Sequence, residues 1–189
     1  LKVIVGLGNP GRNYHETRHN VGFRVIQRLA ERHRVDVRHQ VMSAGRPAGV
    51  YGEYQDGGDT VRLLMPLTMM NESGEALREL PVPLGSLLIV CDDVNLPLGT
   101  IRLRAEGGAG GHNGLASCLE MLATEAVPRL RVGVGGAKLP ADLTDFVLSP
   151  VPSAERPALE RAMAQAVEAC EAWSAAGIEA AMSKYNKPA

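Results

Sequence analysis

The run Val5-Gly6-Leu7-Gly8-Asn9-Pro10-Gly11, continuing through Tyr14-His15-Glu16-Thr17-Arg18-His19-Asn20, decides the reading of this chain. Lys2 to Leu7 is short and rich in β-branched residues, the pattern of a central strand. It runs into a turn whose Gly, Asn and Pro residues dictate backbone shape. Two Asn, two His, a Tyr and two Arg follow before apolar residues begin to recur at helical spacing from Val21, through Phe23, Val25, Ile26, Leu29 and Ala30. Titratable groups placed just after a buried strand are where α/β proteins carry out chemistry.

Outward from that stretch, the signals alternate. Val35 to Pro47 reads as irregular, and Gly49–Tyr54 and Thr60–Met65 flank Asp56-Gly57-Gly58-Asp59, a hairpin signature. The loop from Leu67 to Gly74 leads to a helix ending before Pro81. Leu87 to Val90 is a buried strand that delivers Cys91-Asp92-Asp93. Ile101–Arg104 and Arg129–Val134 are further strands, separated by a Gly-rich run, Gly107 to Gly114, and a helix with Leu115, Leu119 and Leu122 on one stripe. A last helix is capped by Ser153 and closed by Gly177. Strands alternating with helices, plus one hairpin, predict an α/β fold: one domain spanning 1–189, a twisted mixed β-sheet surrounded by α-helices.

The bulk numbers narrow the function classes. A net charge of −1 means a polyanionic partner must be met by a local basic patch. Arg102, Arg104, Arg129 and Arg131, gathered in two short strands, are the candidates. Three scattered cysteines, Cys91, Cys118 and Cys170, make no disulfide framework or metal cluster and suit a reducing cytoplasm. No signal peptide and no apolar run of about 18 residues is evident, so neither export nor a membrane is expected.

Gly6-x-Gly8-x-x-Gly11 after a strand matches the dinucleotide-binding pattern, but Pro10 interrupts it and about ten residues separate Gly11 from the helix whose N-terminus would hold a pyrophosphate. His15 and His19 are four apart yet lie before the helix, with no third ligand nearby, so no metal is expected. Asp92, at a strand end, is placed to accept a hydrogen bond from an imidazole, which fixes the tautomer and strengthens the far nitrogen as a base. With no Gly-x-Ser-x-Gly elbow and with cysteines in element interiors, a His–Asp pair activating water is the economical chemistry. Asn9, Asn71 and Asn113 each fit turn chemistry alone; lining one cleft, their carboxamides can read a peptide backbone or hold an oxyanion. Arg104 and Arg131 alternate with apolar residues, and a facing pair can clamp a phosphate.

Assembled, these pieces resemble the bacterial-type peptidyl-tRNA hydrolases. The matching motifs are Gly6-Leu7-Gly8-Asn9-Pro10-Gly11, Tyr14, Thr17-Arg18-His19-Asn20-Val21-Gly22, Met70-Asn71-x-Ser73-Gly74, Asp92-Asp93-x-Asn95-Leu96-Pro97 and Gly110-Gly111-His112-Asn113-Gly114, in the family's order and spacing over nearly the whole chain. The resemblance implies hydrolysis of the ester joining a peptide to the terminal ribose of its tRNA, in the cytoplasm, by a monomer with no cofactor. It implies that His19 is the general base and that Asp92 holds it. Asn9 would distinguish N-blocked from free aminoacyl-tRNA, and Asn71 and Asn113 would orient substrate and water. Tyr14 and Met69 match positions touching the tRNA end or the peptide. Arg104 and Arg131 match the clamp on the tRNA 5′-phosphate. Met69, Asn95, Ala109 and Gly136-Ala137 depart from the family's usual residues. A catalytically silent RNA-binding relative is the alternative, against which the intact His19, Asp92 and Asn set weighs.

Overall fold

The computed structural model describes residues 1–136 and 138–186; Ala137, and residues 187–189 of the expected domain, lie outside them. Among the described residues, seven strands form one sheet: β1 (Lys2–Gly6), β2 (His39–Ser43), β3 (Arg46–Asp56), β4 (Asp59–Pro66), β5 (Leu87–Pro97), β6 (Ile101–Arg104) and β7 (Arg129–Gly135). Their order is β2-β3-β4-β1-β5-β7-β6. β1 runs parallel to β4 and β5, and β5 parallel to β7. The two outer ends are antiparallel, β2–β3–β4 on one side and β6–β7 on the other. The expected α/β architecture with a mixed sheet is therefore the one observed.

Alternation along the central strands explains why both faces are covered. Val3 and Val5 pack with Leu64, Ile89 and Cys91 on one face, and Ile4 packs with Leu63, Leu88 and Val90 on the other. The first face is covered by α2 (Asn113–Leu122) and a 3₁₀ run, Met70–Leu77; the second by α1 (Val21–His33) and α4 (Arg156–Tyr185). A short helix, α3 (Leu143–Val147), buries no residue of its own. No helix among the described residues is long and apolar enough to cross a membrane.

The glycines of the opening motif serve packing. A Cβ on Gly6 would lie 2.2 Å from the Gly22 carbonyl oxygen, and one on Gly8 would lie 2.6 Å from the Phe23 ring. A Cβ on Gly22 would meet the carbonyl oxygens of Leu7 and Val90, each at 2.5 Å. Helix α1 thus lies directly on the ends of β1 and β5, and the motif's likeness to a dinucleotide loop has a packing cause. Since backbone cannot step aside, Gly22→Ala is expected to cost about 3 kcal/mol of unfolding free energy, as overpacking does; a urea melt with an unchanged midpoint would contradict this.

Several sequence expectations need correcting. The stretch read as irregular contains β2, an edge strand whose register breaks between Val41 and Met42, opposite Pro47. That bulge and the proline hide its alternation. The helix expected before Pro81 is present as a 3₁₀ run that stops at Leu77. Ser153 opens a 3₁₀ turn and does not cap α4. Gly177 breaks α4 with φ 87° and ψ 177°, but the helix resumes to Tyr185.

Candidate active site

β5 carries five buried residues in succession, Leu87 to Cys91, and Asp92 is its first charged residue. Buried on both faces between β1 and β7, the strand carries no carboxylate until Asp92, its sixth residue of eleven, which does not end the strand as its apolar run suggested but lies two residues beyond the end of β1. There the neighbouring parallel strand β1 also opens into its loop. Ligands of open α/β sheets bind outside such strand ends. The loop from Leu7 to Arg18 returns to this edge and sets His19 down just before α1.

His19 Nδ1 lies 2.9 Å from Asp92 Oδ1 and 3.0 Å from Oδ2. A second imidazole completes the arrangement: His112 Nε2 lies 2.8 Å from Asp92 Oδ1. The two rings are 4.7 Å apart, tilted by 50°. The Asp92 side chain is 2% exposed, against 11% for His19 and 9% for His112.

Hydrogen-bond roles follow from what each partner can do. His112 is the N-cap of α2, and its Nδ1 accepts the backbone N–H of Leu115 at 3.0 Å. That ring in its neutral form therefore carries its proton on Nε2 and donates it to Asp92. An ionised carboxylate only accepts, so His19 donates from Nδ1. Its Nε2, which bonds to no described residue, then holds a free lone pair. Burial by itself would raise the Asp92 carboxyl, but the two imidazoles outweigh it and hold that group well below the usual carboxylate range.

These three side chains also bring metal-ligand atoms within 4.8 Å of one another. The Leu115 N–H argues against a cation there, because it occupies the His112 nitrogen that would otherwise keep the ring's proton when Nε2 ligates. The cysteines offer no nucleophile. Cys91, Cys118 and Cys170 are free and buried, and burial pushes each thiol up, that of Cys118 to about 12.

His19, Asp92 and His112 line a cleft with a cavity of about 160 Å³, together with Asn113, Arg131 and α3. A water needs about 10–15 Å³ of such space, so the cavity admits several waters or one small group. Asn95 and Ala109, two of the departures noted above, line it too. Asn9 is not in that lining; it lines a second hollow with Asn20, Pro10, Phe23 and Leu67. Asn20 pairs with the Asn9 backbone, accepting its N–H and donating to its carbonyl, both at 2.9 Å. The Asn9 Oδ1 accepts the Met70 N–H at 2.8 Å. Its amide nitrogen bonds no described residue and remains available as a donor.

Of the remaining expected residues only Arg131 lines either hollow. Asn71 and Met69 are exposed, and Tyr14 is half-buried at the end of a 3₁₀ turn. Met70, beside Met69, is the core residue, with its sulfur 2.4 Å from where a Gly114 Cβ would lie. Arg104 and Arg131 do not face each other directly: the register pairs Arg102 with Arg131 and Arg104 with Arg129. All four therefore project from one face of the β6–β7 pair. Arg131 Nη1 donates to Asp93 Oδ2 at 2.9 Å, and Arg104 is exposed. Arg129 is buried and donates to the carbonyls of Gly107, Gly108, Glu125 and Val127, which fixes the base of the Gly-rich loop.

Sequence reasoning gave His112 and Asn20 no role of their own and placed Arg129 only in a basic patch. A signal existed for His112, three residues before Leu115 at the start of a predicted helix, where a side chain accepting a backbone N–H belongs.

Known proteins resemble this chain over nearly its whole length. The peptidyl-tRNA hydrolase family model matches residues 3–189. A peptidyl-tRNA hydrolase of Syntrophomonas wolfei is 40% identical, with 98% of this chain and 100% of the relative covered. One of a Synechococcus species is 45% identical, with 98% and 83% covered. The crystal structure of the Acinetobacter baumannii peptidyl-tRNA hydrolase superposes with a TM-score of 0.87 at 32% identity, covering 98% of this chain and 94% of that one. A fold, a buried His–Asp–His cluster and full-length likeness agree: the chain belongs to the peptidyl-tRNA hydrolase family.

Proposed function

We propose that this peptidyl-tRNA hydrolase cleaves the ester between a peptide, or N-blocked aminoacyl group, and the terminal ribose of tRNA, using water activated by His19. The observation that carries the reading is the His19 Nδ1–H donated to Asp92 at 2.9 Å, which leaves Nε2 as the base. Nε2 takes a proton from water as the oxygen attacks the acyl carbon. The tetrahedral oxyanion collapses, the C–O bond to ribose breaks, and Nε2–H returns the proton to the departing ribose oxygen. Peptide carboxylic acid and free tRNA result.

Asp92 acts through charge. Before the reaction its carboxylate faces two neutral imidazoles; once His19 accepts a proton, an imidazolium stands beside it. The stabilisation thus grows toward the transition state. His112 holds Asp92 in place and takes no proton in this scheme. Asn113, at the cleft, orients substrate and water, with Asn71 assisting from the rim. The Asn9 amide, its oxygen committed to Met70, donates to the carbonyl of an N-blocking group, which a free amine lacks. Tyr14 and Met69 meet the tRNA end or the peptide, and Arg104 with Arg131 takes the 5′-phosphate. The chain works in the cytoplasm as a monomer, without a cofactor.

Release from N-acetyl-aminoacyl-tRNA compared with free aminoacyl-tRNA tests this. Wild type is expected to prefer the blocked substrate, and Asn9→Asp, which keeps the oxygen for Met70 but replaces the donor with an acceptor, is expected to lower that preference about tenfold. Equal hydrolysis of both substrates by wild type would remove the reading. An undiminished preference in the variant would remove the role of Asn9.

A further inference from the structure

The wall of the cleft opposite the Gly-rich loop has little to hold it. α3 is five residues long, buries none of them, and leaves Leu143 42% and nearby Leu148 38% exposed. A helix that short does not persist on its own. Yet Leu143, Thr144 and Val147 line the cleft beside His19. Some group outside the apolar core must fix it.

That group is Arg18. Its side chain is buried, and Nη1 donates to the carbonyls of Phe146 (3.2 Å), Ser149 (3.3 Å) and Pro150 (3.2 Å) and to Ser149 Oγ (2.6 Å). The guanidinium carbon sits 3.9 Å over the centroid of the Phe146 ring. The backbone repeats the grip: Arg18 N–H donates to the Ser149 carbonyl at 3.1 Å, and Thr17 pairs antiparallel with Pro150. No carboxylate among the described residues lies within ion-pair distance of Arg18. Its charge is spent on the carbonyls of the turn that ends α3.

We infer that Arg18 is a positioning residue. It holds α3 as a wall of the substrate cleft and thereby sets substrate affinity, while the adjacent His19 does the proton transfer. The inference rests on the reading above for what the cleft binds; the anchoring does not. One side chain of the motif thus serves the base and its neighbour serves the wall.

The test is Arg18→Met, which keeps the length and removes every donor, alongside the double variant Phe146→Ala/Ser149→Ala, which removes the ring and one acceptor from the other side. For N-acetyl-aminoacyl-tRNA both are expected to raise KM about tenfold, with kcat within about threefold of wild type and the acid limb of its pH profile unmoved. The amides of Leu148 and Ser149, bonded to Thr144 and Phe146 carbonyls, should exchange with solvent at least about tenfold faster, while those of α1 keep their protection. If Arg18→Met does not fold, the double variant carries the same readouts. Unchanged exchange at Leu148 and Ser149 overturns the anchoring. Loss of protection spread evenly over the chain assigns Arg18 to general stability instead, and a lowered kcat with a displaced acid limb assigns it to His19. Should wild type itself leave the ester intact, the cleft's function is wrong, and the exchange data still decide the anchor.

Discussion

Replacing His19 by Ala is expected to lower kcat about 10²–10⁴-fold, the usual worth of a general base, with the Kd for tRNA held within about threefold. The two effects separate because, among the described residues, the His19 side chain bonds only to Asp92, and it reaches the cleft with a single lone pair. Nothing in its geometry places it against the nucleic acid backbone. Single-turnover release of N-acetyl-aminoacyl groups, with tRNA binding measured in parallel, checks both halves. A variant that retains wild-type turnover would end the general-base mechanism, and one that loses binding as steeply as turnover would move His19 from chemistry to recognition.

Asp92→Asn carries the second large effect, again about 10²–10⁴-fold in kcat. The carboxylate receives His19 on both oxygens and His112 on one of them. An amide satisfies His112 with its oxygen but turns an N–H₂ toward His19 Nδ1. His19 then prefers to hold its proton on Nε2, the nitrogen that must be empty. The double variant His19→Ala/Asp92→Asn is expected to be no slower than His19→Ala, since Asp92 acts through His19; a further loss of tenfold or more would give Asp92 a separate role.

The same carboxylate has a pH signature. With its folded-state value held below the ordinary one, Asp92 stays ionised wherever the enzyme is assayed, so a loss of activity in mild acid does not come from its own protonation. Its contribution to stability is present above the unfolded-state value and is lost only as pH falls through the depressed folded one.

What the sequence made legible, and what it did not, divides by range of interaction. The central strands were readable because Val3–Val5 and Leu87–Cys91 are buried on both faces, which leaves an uninterrupted apolar run. His19 and Asp92 were legible as a pair because a carboxylate closing a buried apolar run invites a partner, and a family motif supplied it, though the strand itself runs on to Pro97. The bulged edge strand β2 and the interruption of α4 at Gly177 were not, since a local pattern broken by a register shift or a left-handed residue looks the same as a loop or an end. His112 stood in plain view within a Gly-rich run, but its importance depends on α2 docking its N-terminus over β5, a long-range fact. Arg18 and Arg129 were hidden for a related reason: each bonds backbone carbonyls, which carry no sequence signature. The likeness of the opening motif to a nucleotide loop dissolved only when Gly6 and Gly22 proved to be in backbone contact.

Nitrogen NMR of the ¹⁵N-labelled imidazoles reads the proton positions on which the chemistry depends. For His19 in its neutral form the expected result is a protonated Nδ1 and an unprotonated Nε2, with the pattern reversed in His112. A His19 carrying its proton on Nε2 would leave no base facing the water and would contradict the mechanism.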